Sequence, residues 1–86
     1  MASYKIEWKK SAYNELQKLP RPMIIKVVAA VQDLSSNPYP SGVKKLVGSE
    51  YSYRIRIGDY RVVYEIFENR LIIEIVRVRH RKDVYR

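Results

Sequence analysis

Cysteine is absent from this chain of 86 residues. Its absence excludes a disulfide framework and a thiolate metal site, and it favours a reducing cytoplasm as the compartment. Long apolar runs are also missing, because no stretch approaches the roughly 20 residues that a membrane span needs. The residues from Met1 to Lys5 lead into an amphipathic segment without an apolar signal core. We therefore expect a soluble, cytoplasmic protein without a targeting signal.

Acidic residues are few, since nine Asp and Glu stand against seventeen Lys and Arg and leave a formal charge of +8. Such an excess on a small body predicts attraction to nucleic acid, to an acidic protein or to an anionic membrane surface. The length suits one modest core, so residues 1–86 are expected to form a single domain. Phosphate-binding loops, His-Glu-x-x-His helices and Cys/His clusters are missing, so P-loop nucleotide hydrolysis and zinc chemistry have no support.

The clearest pattern lies in residues 51–66, where apolar or aromatic residues alternate with polar ones on both sides of Gly58-Asp59. Period-two alternation is typical of half-buried strands, and the two stretches together predict a β-hairpin. A two-residue loop that begins with glycine fits a type II′ turn, which needs a positive φ at its first central position. This turn predicts the register, which pairs Ile57 with Tyr60, Arg56 with Arg61 and Ile55 with Val62.

In this register Arg54, Arg56 and Arg61 lie on one face of the hairpin, with Arg54 diagonal to Arg61. Like charges that face each other destabilise a sheet, so the arrangement favours an anion bound between them. Phosphate suits arginine, because the planar guanidinium donates two parallel hydrogen bonds to its oxygens. The other interpretation is that these arginines point into solvent or pair with acids such as Glu65 and Glu74.

Spacing and proline predict the elements that precede the hairpin. Residues 4–8 alternate and predict a short strand that pairs with an edge of the sheet. Apolar residues recur at helical spacing over 12–19 and again over 23–34, with Pro20 between them, so the two stretches predict a helical hairpin. The valines of the second helix are poor helix formers, so packing on the sheet must stabilise it.

Residues 35–42 contain two prolines and a glycine and predict a loop. Residues 71–78 are apolar on both faces at first and alternate later, which predicts a strand inside the sheet. The faces to which Arg77 and Arg79 point stay open, because a shift of one residue in register exchanges the faces. Residues 79–86 form a basic tail that is too short and too charged to join the core.

If the bound anion is an RNA phosphodiester, cleavage without a metal ion uses the neighbouring 2′-hydroxyl as the nucleophile. This reaction needs a proton acceptor, a proton donor for the leaving 5′-oxygen and positive charge near the transition state. Arginine supplies the charge but is a poor general base, because its guanidinium stays protonated. His80 is the one residue of a type that ordinarily titrates near neutral pH, and it is either a catalyst or a surface residue. Tyr85 either stacks on an RNA base or pins the tail to the sheet.

Three segments resemble the RelE family of toxin–antitoxin systems: KKL at 44–46, YRIRIGDYRVVYE at 53–65 and RVRHRKDVY at 77–85. The resemblance extends over nearly the whole chain, and the two longer segments are typical of the RelE/ParE superfamily. It implies an α+β fold with a short N-terminal strand, a two-helix hairpin, a twisted antiparallel sheet and a basic C-terminal tail. It also implies a toxin that enters the ribosomal A site, cleaves the mRNA there without a cofactor and is blocked by a cognate antitoxin.

The resemblance implies catalytic roles by position. Arg54 and Arg56 correspond to basic residues that contact the scissile phosphate, one of which is proposed as the base. Arg61 corresponds to the family's phosphate-binding arginine, and Arg81 to the arginine of transition-state support or acid catalysis. Tyr85 corresponds to the tyrosine that stacks on or orients the substrate. The family pattern has lysines at the first two of these positions, and replacing lysine by arginine removes the more plausible proton acceptor.

Basic residues outside the hairpin are expected to bind RNA. Lys9 and Lys10 near the first helix, together with Lys44 and Lys45, are candidates for ribosomal RNA contacts, and Arg79 stands where many relatives have glycine. No membrane partner is expected, because neither helix combines a strongly apolar face with a densely basic one. Two other functions stay open, namely a ParE-like inhibitor of DNA gyrase and an RNA-binding module without catalysis. The full basic set favours the ribonuclease.

Overall fold

Five strands form one sheet in the computed structural model, which describes residues 3–84. The elements in chain order are β1 (Lys5–Trp8), α1 (Lys10–Gln17), α2 (Arg21–Leu34), β2 (Lys44–Lys45), β3 (Ser52–Ile57), β4 (Tyr60–Phe67), β5 (Ile72–His80) and α3 (Arg81–Val84). The strand order in the sheet is β1-β5-β4-β3-β2. Neighbouring strands from β2 to β5 are antiparallel, whereas β1 lies parallel to β5. The expected α+β architecture is confirmed, and the parallel β1 makes the sheet a mixed one.

The two main helices each contribute a buried stripe to one face of the sheet. Ala12 and Leu16 of α1 and Val27, Val31 and Leu34 of α2 are almost fully buried in the same core as the inward residues of the strands. Their spacing is that of a single helical face. A proline lies in the first turn of α2, where its missing N–H breaks no helical hydrogen bond. Within residues 3–84, no helix is long and apolar enough to cross a membrane.

The β3–β4 hairpin has the register that the sequence predicts. Its pairs at the turn end are Ile57 with Tyr60, Arg56 with Arg61 and Ile55 with Val62. Gly58 has a φ of +61°, and Asp59 is not among the residues with positive φ. A positive φ at the first central position alone matches a type II′ turn, as expected. The register at this end of the sheet is therefore a local consequence of one glycine.

A β-bulge in β5 decides which of its residues face the core. The pairing of β5 with β4 runs to Ile75, skips Val76 and resumes at Arg77. Ile75 is fully buried, and unbroken alternation would place Arg77 beside it on the core side. The bulge shifts the alternation by one residue, so Val78 is buried instead. Arg77 and Arg79 consequently point to the face that α1 and α2 leave uncovered.

Tyr64 is the largest fully buried side chain, and it joins the sheet to the loop after α2. Its hydroxyl donates a hydrogen bond of 2.9 Å to the carbonyl oxygen of Pro38. Its ring stacks on Tyr53, with ring centroids 6.2 Å apart. Burial, and to a smaller extent the nearby Tyr53, raises the pKa of Tyr64 well above its ordinary value. The phenol therefore stays protonated and keeps donating to the loop.

Tyr64→Phe should lower the free energy of unfolding by about 1–3 kcal/mol, because it leaves the buried carbonyl of Pro38 without its donor. Urea denaturation followed by circular dichroism measures the change. Tyr13→Phe is the matched control, since Tyr13 is half exposed and should lose almost nothing. Equal stability of the two variants would contradict a structural role for the buried hydroxyl.

The same burial predicts a loss of stability at alkaline pH. An exposed tyrosine of the unfolded chain ionises near pH 10, whereas the raised pKa of Tyr64 keeps the native phenol protonated. The native state then binds more protons than the unfolded state, so stability falls as the pH rises above about 10. The wild-type free energy of unfolding should fall more steeply over this range than that of Tyr64→Phe. Parallel slopes would contradict the prediction.

Candidate nucleic-acid interface and catalytic site

Six basic side chains lie on the uncovered face of the sheet, which we call the arginine face. They form two rows that cross the strands. One row consists of Arg56, Arg61 and Arg79, and the other of Lys44, Arg54 and Arg77 with Val63 between the two arginines. Residues paired across strands have Cβ atoms about 4.5–5.5 Å apart, so these cations repel each other unless an anion lies between them.

A cavity of about 430 Å³ opens between the strands of this face. Its lining residues are Gly42, Lys44, Arg54, Ile55, Arg56 and Arg61. Arg54 and Arg61 are partly buried, and partial burial strengthens their attraction for an anion because less water screens it. The cavity thus combines four cations with room for a phosphate group and its attached sugar. The structure brings together three of the arginines that the sequence singled out.

Arg56 is oriented by its own turn. Its Nε donates a hydrogen bond of 2.9 Å to the carbonyl oxygen of Gly58. Nε is the inner nitrogen of the guanidinium, so this bond directs the side chain without using the two terminal nitrogens. The type II′ turn therefore sets both the strand register and the direction of this arginine.

Glu15 of α1 is a site residue that the sequence analysis missed. β1 ends at Trp8, so the edge of β5 beyond Ile75 has no strand partner on that side. Glu15 takes this place, because its Oε1 accepts the backbone N–H of Val78 and its Oε2 accepts Nε of Arg79, both at 2.9 Å. The available signal was that Glu15 is the sole acid of α1.

Glu65, Glu68 and Glu74 lie further from the β3–β4 turn than the hairpin arginines do. Glu65 and Glu74 pair with each other across β4 and β5, one row further from the turn than Arg54. Glu68 accepts a hydrogen bond from the hydroxyl of Tyr39 at the far end of the sheet, and this bond is the main reason that the pKa of Tyr39 is raised. Among residues 3–84, no group of three acidic or histidine side chains could hold a metal ion.

Arg81 approaches the site from the first position of α3. Its backbone N–H donates a hydrogen bond of 2.7 Å to the carbonyl oxygen of Asp59, and its Nε lies 3.7 Å from the carboxylate of the same residue. Both side chains are at least half exposed, so water weakens the ion pair. The β3–β4 turn thus holds the start of α3 next to the arginine face. Tyr85 lies outside the described residues.

His80 does not lie on the arginine face. It follows the alternation of β5, so its side chain is on the same side as the buried Val78. Its ring meets the ring of Tyr60 edge-on, with centroids 5.2 Å apart and an interplanar angle of 84°. The structure therefore separates the histidine from Arg54 and Arg61 by the thickness of the sheet.

The predicted RNA-binding lysines lie at two opposite edges of the sheet, and all four are exposed. Lys9 and Lys10 begin α1 beside β5, where the backbone N–H of Lys9 donates to the carbonyl of Ile75. Lys44 and Lys45 form β2, an element that the sequence did not predict as a strand. Lys44 extends the row of Arg54, whereas Lys45 points to the other face.

The chain is similar to known proteins in sequence and in fold. Residues 6–85 match a family model described as the ParE toxin of the type II toxin–antitoxin system parDE. The chain is 31% identical to a putative toxin RelE1 of Methanocaldococcus jannaschii over 96% of each chain. It is 34% identical to the toxin RelG of Mycobacterium tuberculosis, over 96% of this chain and 97% of that one.

A solved structure agrees with these relatives. The fold superimposes on the archaeal RelE–RelB complex of Pyrococcus horikoshii with a TM-score of 0.83 and 30% identity, covering 92% of this chain and 96% of that one. The similarity therefore extends over most of the fold. The chain belongs to the RelE/ParE superfamily and is the toxin of a type II toxin–antitoxin system.

Proposed function

We propose that this toxin is an endoribonuclease that cleaves mRNA in the ribosomal A site by attack of the 2′-hydroxyl on the adjacent phosphate. The observation that supports this proposal is the cavity between β2, β3 and β4, which four cations surround. Guanidinium groups bind phosphate through paired hydrogen bonds, and their charge stabilises the pentavalent transition state. The names of the RelE relatives point to the same activity.

In the proposed reaction Arg54 and Arg61 bind the scissile phosphate from the floor of the cavity, and Arg56 binds it from the turn. Arg81 stabilises the charge that develops on the leaving 5′-oxygen, and Tyr85 stacks on a neighbouring base. Since an arginine at neutral pH rarely accepts a proton, catalysis rests mainly on charge and on alignment of the 2′-hydroxyl with the phosphate. The 2′-oxygen bonds to phosphorus and its proton passes to solvent water, while the bond from phosphorus to the 5′-oxygen breaks and that oxygen takes a proton from water. No protein-bound metal or organic cofactor takes part.

The partners follow from the same surface. Lys9 and Lys10 at one edge, and Lys44 and Lys45 at the other, contact ribosomal RNA on both sides of the mRNA. Arg79 adds a phosphate contact, which its ion pair with Glu15 weakens. A cognate antitoxin in the cytoplasm restrains the toxin, in line with the toxin–antitoxin complexes among the solved relatives.

One observation favours a second candidate. The matching family model is described by the ParE toxin, and the resemblance on the ParE side of the superfamily implies inhibition of DNA gyrase. Such a toxin would need no cavity for a scissile phosphate. It would leave mRNA intact and cause DNA damage in cells.

Arg61→Ala and Arg81→Ala should each lower the rate of mRNA cleavage by about 10²–10³-fold, which is the typical loss for one group that stabilises transition-state charge. Primer extension on an mRNA translated in a purified system measures cleavage, with and without ribosomes. Arg70→Ala is the matched control, because Arg70 packs over Phe67 at the opposite end of the sheet. Intact mRNA together with inhibited DNA supercoiling would overturn the ribonuclease in favour of the gyrase inhibitor.

Binding to a single-stranded RNA should weaken linearly on a plot of log affinity against log salt concentration. Each phosphate contact that a variant loses reduces the slope by about 0.7. Arg54→Ala should therefore give a shallower slope than the wild type, whereas Arg70→Ala should keep it. Fluorescence anisotropy over a range of KCl concentrations measures the slopes. Equal slopes for the two variants would show that Arg54 does not contact a phosphate.

A further inference from the structure

His80 occupies the junction between β5 and α3, where the strand ends and the next residue begins the helix. Its Nδ1 accepts a hydrogen bond of 3.2 Å from the backbone N–H of Lys82. Lys82 is the second residue of α3. A side chain that precedes a helix and accepts the N–H of its second residue is an N-cap.

The ring of His80 is held in the orientation that capping needs. Tyr60 lies directly opposite in the β4–β5 register and meets the imidazole edge-on. An edge-to-face contact of this kind favours one ring orientation over others. On the other side, Glu15, Lys18 and Leu19 line a cavity next to the ring. Because Nδ1 is the acceptor, the ring proton must be on Nε2, which faces away from Lys82.

The position of Arg81 depends on this cap. Arg81 is the first residue of α3, and besides the cap on Lys82 its two contacts with Asp59 hold the start of the helix. One of these contacts is an exposed ion pair of little strength. We infer that His80 is a positioning residue, whose neutral imidazole caps α3 and thereby directs Arg81 toward the arginine face. The effect of the cap on mRNA cleavage rests on the proposed ribonuclease function, whereas the cap itself does not.

The cap exists in one protonation state. A doubly protonated imidazole has an N–H at both nitrogens, so Nδ1 can no longer accept from Lys82. Only the neutral imidazole can therefore cap α3. Charged groups of both signs lie near the ring, and they come from the elements that pack against it. Those that line the cavity beside the ring or bond to it are Glu15, Lys18, Arg79 and Lys82.

Two substitutions separate capping from proton transfer. Asparagine is among the best N-cap residues and does not titrate, whereas alanine cannot cap. His80→Asn should cleave mRNA within about twofold of the wild-type rate, and His80→Ala should lose about fivefold, the equivalent of one cap. Ribosome-bound cleavage by full-length protein provides these rates.

The amide proton of Lys82 gives a readout that does not depend on RNA cleavage. In ¹⁵N NMR spectra of the wild type and of His80→Asn, its chemical shift should be that of a hydrogen-bonded amide. In His80→Ala the shift should move upfield. A toxin that cuts no RNA but shows this pattern would refute the proposed function and leave the cap intact. An unchanged Lys82 amide in His80→Ala would overturn the inference. The inference would also be overturned if His80→Asn were as inactive as His80→Ala while its Lys82 amide stayed hydrogen-bonded.

Discussion

The register of β4 with its two neighbours is the constraint on which the rest of this structure depends. On one side the type II′ turn at Gly58 sets the pairing with β3, and on the other side the bulge at Val76 sets the pairing with β5. Side chains alternate along each strand, so these two features decide the face of every residue in three strands. One face becomes the apolar core under α1 and α2. The other collects arginines in rows.

The arginine face brings like charges together on a sheet that the core stabilises. Cations face each other across β3, β4 and β5, which costs stability in the free protein, while the core on the opposite face holds the strands in place. Glu15 offsets part of the repulsion at the β5 edge, where it binds Arg79 and replaces a missing strand. A phosphate bound in the cavity, as proposed, would offset more of this repulsion. Affinity for a polyanion and strain in the free sheet are therefore two aspects of one charge pattern.

Among the described residues, contacts at the start of α3 join this helix to the sheet. Asp59 lies in the same turn that sets the β3–β4 register, and it accepts the N–H of Arg81. The hairpin thus places its own arginines and, through the turn, also helps to place the arginine of α3. His80 lies on the opposite face, and its Nδ1 accepts the N–H of Lys82 in the same short helix.

The sequence by itself determined the local features. One glycine and a period-two pattern predicted the hairpin, its turn type and the pairing of Arg56 with Arg61, because neighbouring residues in the chain set them. The helical hairpin around Pro20 followed from spacing in the same way. The tertiary structure alone decided the parallel pairing of β1 with β5, the outward direction of Arg77, the part played by Glu15 and the side of the sheet on which His80 lies. Each of these depends on which distant segments of the chain meet or on the one unpaired residue in β5. The periodicity of residues along a single strand carries no information about either cause.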